Sequence, residues 1–116
     1  MNIARLDEIS KEISAILKEQ EEVEHYTKKL QQEEEQAFEY LQNIIFNISD
    51  ELEACQGDRE IRVLVERKYL RIQEMQRKCM AFCAKLQEDK KKYRYRCESE
   101  IEALKLEKQR LTMGGI

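Results

Sequence analysis

Apolar residues in the first half of the chain return at steps of three and four. Leu6, Ile9, Ile13, Ile16, Val23, Leu30, Ala37, Leu41, Ile44 and Ile48 fall on one stripe, which Gln20, Thr27 and Glu34 interrupt as a polar waist. This spacing is the a/d seam of a helix packed lengthwise on another helix. Ile3, Leu17, Phe38, Ile45 and Leu52 flank the seam and widen it, as expected of a helix that meets more than one neighbour. The pattern stops near Cys55, and Gln56-Gly57-Asp58-Arg59 follows. Gly57 suits the left-handed conformation that closes many helices. Asp58 suits the N-cap of the next helix, and Glu60 is favourable in its first turn.

The second half resumes the pattern with Ile61, Val65, Lys68, Ile72, Met75, Cys79, Phe82 and Leu86, then Tyr93, Cys97, Ile101, Leu104 and Leu111. Consecutive steps of four at Tyr93–Cys97–Ile101 and at Ile44–Ile48–Leu52 shift the phase and relax left-handed supercoiling. The fold expected is all-α: one domain over 1–116, built as a coiled-coil-like antiparallel two-helix hairpin. Its first helix covers about 2–55, its turn 56–59 and its second helix about 60–111, with a frayed tail over 112–116.

Composition agrees with long helices. The chain has no Pro, its only other glycines are Gly114 and Gly115, and 39% of its residues are charged. Charge adds an orientation. Residues 1–57 hold 5 Lys+Arg against 14 Asp+Glu, and residues 58–116 hold 16 against 10, so the halves are net −9 and +6. Folding about Gly57 sets the acidic stretch Glu19–Glu35 along Cys79–Tyr95, which carries Lys85, Lys90, Lys91, Lys92 and Arg94. Single exposed pairs contribute roughly 0–1 kcal/mol, but many together set register.

Candidate chemistry is sparse. A two-helix hairpin offers no water-excluding pocket for convergent catalytic groups, and no Gly-rich phosphate loop, H-E-x-x-H or G-x-S-x-G occurs. The one histidine, His25, sits among Glu21, Glu22 and Glu24 and reads as a solvated helix residue. Cys79 and Cys83 lie one helical turn apart without two further ligands nearby, so they read as small core thiols, like Cys55 and Cys97. The run Lys90-Lys91-Lys92-Tyr93-Arg94-Tyr95-Arg96 reads as an answer to the acidic first helix and not as a nucleic-acid contact, since the chain as a whole is net −3. The expectation is no enzyme, no cofactor, no metal site and no nucleic-acid partner. No apolar h-region opens the chain and no apolar run is long enough to span a bilayer. The protein is therefore expected to be made in the cytoplasm without membrane insertion, with export by a signal-peptide-independent system still open.

Protein partners are implied instead. Two helices bury only the surface between them, and Leu17, Phe38, Ile45, Phe46, Leu52, Val63, Leu64, Leu70 and Met80 exceed what one seam needs. A second hairpin, identical or different, would complete a four-helix bundle. Phe38, Ile45, Phe46, Leu64 and Leu70 gather towards the turn, where the strongest contact is expected.

With a central glycine turn and no visible signal peptide, the chain resembles the WXG-type helical hairpins of type VII secretion. Within that group it is most similar to the accessory proteins encoded with LXG toxins. Cys55 stands where the WXG-type turn has Trp, two residues before Gly57. Tyr93 and Tyr95 are followed four residues later by Cys97 and Ser99, so no Y-x-x-x-D/E closes the second helix, and the one F-x-x-x-D, Phe46 to Asp50, lies late in the first. The resemblance implies a chaperone-like targeting factor that binds the helical N-terminal domain of an LXG toxin or another small hairpin. The alternatives are a coiled-coil stalk or adaptor of a flagellar or type III export apparatus, or a scaffold-complex subunit.

Overall fold

The computed structural model describes residues 3–114. Two helices, α1 (Ile3–Ala54) and α2 (Arg59–Gly114), pack as an antiparallel hairpin, and no strand occurs among the described residues. The second helix runs past the expected end at residue 111. Thr112 is helical and its hydroxyl donates to the Lys108 carbonyl at 2.8 Å. The rest of the expected frayed tail, residues 115 and 116, and the expected first helical residue, 2, lie outside the described residues.

The turn falls where the sequence places it but is built differently. The Cys55 amide donates to the carbonyls of Glu51 and Leu52 at 3.1 and 3.3 Å, and the Asp58 amide donates to the Cys55 carbonyl at 3.0 Å. This closes a four-residue turn with no positive φ at any described residue, Gly57 included. The expected left-handed Gly57 is therefore corrected: a right-handed turn ends α1, and such a turn does not require glycine. Asp58 does cap α2. Its Oδ1 accepts from the amides of Glu60 and Ile61 at 3.1 and 3.2 Å, and its carbonyl accepts from the Arg62 amide at 3.0 Å.

The chain divides into two compact units. In the turn-side unit, Lys29–Leu86, the core is Leu41, Ile48 and Ile72, with Ile44, Ile45, Leu52, Val65, Tyr69 and Cys79 packed against it. Gln76 donates across the seam to Gln42 at 2.8 Å, and Lys68 pairs with Glu51 at 3.8 Å. In the unit that carries the termini, described over 3–28 and 87–114, Ile9, Cys97 and Ile101 are buried. There Arg5 grips Glu107 with two bonds of 2.9 Å, and Arg94 donates to Glu24 at 2.9 Å. Desolvation, helped by Cys97 and Glu19, pushes the Tyr93 hydroxyl up to about 12.

The seam of α2 differs from the one expected. Val65, Tyr69, Ile72, Gln76, Cys79, Cys83 and Leu86 are shielded and alternate in steps of four and three without a break, with Gln73 shielded beside them. Ile61, Lys68, Met75 and Phe82, expected in the seam, are exposed one row to the side. Both rows share Val65, Ile72, Cys79 and Leu86, so the more apolar row was the natural choice from sequence. The hairpin takes the other, in which the Gln76 amide is satisfied by Gln42 and the small thiols of Cys79 and Cys83 sit among larger α1 side chains. On α1 the phase shift falls at Leu30–Glu34–Phe38, earlier than expected, so Phe38 is half-buried and Ala37 exposed.

Three variants test this fold. Because Gly57 has negative φ and a Cβ there would meet nothing within 4 Å, Gly57→Ala should raise stability by about 0.4–1 kcal/mol, whereas Asp58→Ala should cost about 0.5–2 kcal/mol; urea denaturation reads both. The Arg5 guanidinium holds the Glu107 carboxyl below the usual carboxylate range. Its contribution is therefore present above the unfolded value and lost as pH falls through the folded one. Glu107→Gln should flatten the acid limb of a stability–pH curve.

Candidate functional site

A lone hairpin shields only its seam, and the described residues show how little that is. Six apolar side chains are buried: Ile9, Leu41, Ile48, Ile72, Cys97 and Ile101. Many larger ones are not, and those of the turn-side unit divide between two flanks of the seam.

One flank carries the row that α2 leaves unused. Ile61 is 46% exposed, Met75 52% and Phe82 43%, spaced two and one heptads apart, with Lys68 in the gap. The register that pairs Lys68 with Glu51 sets Ile44 level with Met75 and Ala37 level with Phe82. Apolar side chains from both helices thus continue from the core cluster onto this flank. Leu64 lies at its outer edge on α2, and Tyr40 on α1, both exposed.

The opposite flank carries a shallow cavity of about 330 Å³ lined by Phe38, Cys79, Met80 and Cys83 and rimmed by Glu34, Glu35 and Glu39. Burial pushes the Cys79 thiol up, and a hydrogen bond to Glu34 adds to the effect; burial likewise raises Cys83, with Glu34 and Glu35 contributing. Both thiols are held protonated, which is the unreactive form. All four cysteines are free. Among the described residues no three of His, Cys, Asp and Glu are placed to hold a metal ion, and no helix is long and apolar enough to cross a membrane.

The residues expected to bind a partner separate accordingly. Phe38 and Met80 meet in the cavity. Phe46, Val63 and Leu70 are exposed at outward positions on the cavity's flank, and Leu64 edges the other one. Leu17 is exposed in the other unit, where it lines a groove with Gln20, Glu98, Ile101, Glu102 and Lys105. Ile45 and Leu52 are partly buried and pack against the core cluster, where the shifted α1 phase turns them inward. Gly57 and Asp58 form the turn, as expected. Sequence reasoning missed Ile61, Met75 and Phe82 as surface residues by assigning them to the seam. The signal that could have found them was the second row of the same heptad.

Charge across the hairpin is less spent than the sequence suggests. Among the described residues the ion pairs that join the helices are Arg5–Glu107, Lys68–Glu51 and Arg94–Glu24, whereas Lys92 turns to Glu88 on its own helix. No family model, curated protein or solved structure matches the chain.

Because the folded chain holds the Cys79 and Cys83 protons more tightly, alkylation by iodoacetamide at these two thiols should rise at higher pH in the folded protein than in the urea-unfolded chain. Glu34→Gln should bring the Cys79 profile down. Mass-spectrometric rates at each cysteine measure this, and coincident folded and unfolded profiles would refute it.

Proposed function

We propose that the chain is a non-catalytic docking subunit whose turn-side flank packs against a helix of another protein. The supporting observation is the unused row of α2: Ile61, Met75 and Phe82 stand exposed beside a seam that the hairpin itself has completed. A helix with two overlapping apolar rows has one row for its own hairpin and one for a neighbour, which is how hairpins add into four-helix bundles. Phe38 and Met80 in the opposite cavity, with Phe46 and Leu70 beyond it, supply a second, smaller contact area.

The more specific reading is an accessory protein of type VII secretion that binds the helical N-terminal domain of an LXG toxin in the cytoplasm and presents it for export. Support for it comes from the resemblance in turn position and hairpin style, together with an apolar flank suited to a long helical partner. Cys55 in place of the turn Trp, and the lack of a Y-x-x-x-D/E ending, suit a companion better than a chain carrying the export signal itself.

Coexpression with such a toxin domain tests the reading. Met75→Asp or Phe82→Asp should weaken complex formation roughly 10- to 100-fold, the equivalent of losing one large buried apolar side chain. Circular dichroism should change little, because both residues are exposed in the hairpin. Unaltered affinity in both variants would remove this flank from the interface. A wild-type chain that ignores the toxin domain would remove the secretion reading while leaving the docking flank open to test with other helices.

A further inference from the structure

The charge on that flank is not spread evenly. Along the outer edge of the Ile61–Met75–Phe82 row, one helical position further round α2, stand Leu64, Arg71, Lys78 and Lys85, each a heptad after the last. All four are exposed. Among the described residues Arg71, Lys78 and Lys85 make no ion pair, whereas Arg62, Lys68 and Arg77 of the same unit do. Among the described residues no ion pair joins them to the acidic half of the chain. On this flank α1 presents Glu33, Ala37, Tyr40, Ile44, Asn47 and Glu51; Glu51 is already paired with Lys68, and Glu33, at the Lys85 end, makes no ion pair with Lys85. The cavity rim of Glu34, Glu35 and Glu39 lies on the other side of the seam, with Met80.

Resting on the docking reading above, we infer that this flank takes an amphipathic helix with acidic edges, laid along the turn-side half of α2. Its apolar row packs on Ile61, Met75 and Phe82, and one Asp or Glu per heptad meets Arg71, Lys78 and Lys85 in turn. The apolar row supplies most of the affinity. The basic edge selects the partner and fixes its register, since rim charges act on specificity and on-rate more than on binding strength. The same edge works against a second copy's α2 on this flank, because that would set like charges along the contact.

The test uses the full chain and two synthetic helical peptides of about four heptads. Both have a Leu row, one with Glu on its flanks and the other with Lys. Fluorescence anisotropy should show the Glu peptide binding roughly tenfold more tightly than the Lys peptide, with the difference shrinking as salt rises. The triple variant R71E/K78E/K85E should reverse the preference, and M75S/F82S should lose both peptides while staying helical. Equal binding of the two peptides, no binding of the Glu peptide, or an unchanged preference in the triple variant would overturn the inference. So would a dimer in sedimentation velocity that M75S/F82S dissolves, which assigns the flank to a second copy. Binding to phosphatidylglycerol vesicles without binding to the Glu peptide would overturn it in favour of an anionic surface. If the toxin domain is lost on Phe82→Asp but kept by the triple variant, the docking reading stands and the acidic-edge inference falls.

Discussion

Everything distinctive about this hairpin follows from one row of side chains on α2. Val65, Ile72, Cys79 and Leu86 can complete a seam with the row on either side of them, and a helix can turn only one of these pairings towards its partner helix in the hairpin. The chain commits to Tyr69, Gln76 and Cys83. That choice fixes the rotation of α2, the hydrogen bond from Gln76 to Gln42 and the position of the two thiols. It also sends the larger apolar residues outwards. The more hydrophobic of two available seams is thus the one left open, which is the reverse of what stability of an isolated hairpin would favour.

The outline of the fold was legible in the sequence because its signals are local. Heptad spacing, the absence of Pro and the Asp58 cap each depend on a few neighbouring residues, and the helix limits near the turn lie close to where those signals place them. Rotation about the helix axis was not legible on α2, because two rows fit one periodicity and only packing against α1 decides between them. The same holds for Phe38 against Ala37: both are apolar, and the inserted phase at Glu34 belongs to the pair of helices, not to either alone. The conformation of Gly57 was misjudged for a related reason. Glycine permits the left-handed cap but does not impose it, and a four-residue turn closed from Asp58 to Cys55 reaches the same reversal without it.

Charge was legible as a difference between halves but not as a set of contacts. The net −9 and +6 of the two halves orient the helices, yet few pairs cross between them among the described residues. Helix geometry explains why. Charged residues at outward positions of both helices project away from the seam, so opposite sign on paired helices need not produce contact. On the turn-side unit Glu34, Glu35 and Glu39 gather around the thiol cavity, and Arg71, Lys78 and Lys85 stand beside the open apolar row. Each flank therefore has a chemical character of its own.

The open row also bears on how much of this protein a cell can keep. The hairpin alone presents Ile61, Met75 and Phe82 along one exposed row, and to quality-control machinery such a surface is the mark of unfinished folding. Occupying the row removes that mark. On the docking reading proposed above, abundance would follow the supply of the companion helix: surplus chain would be cleared, and the two proteins would be held near matched amounts without any dedicated regulator.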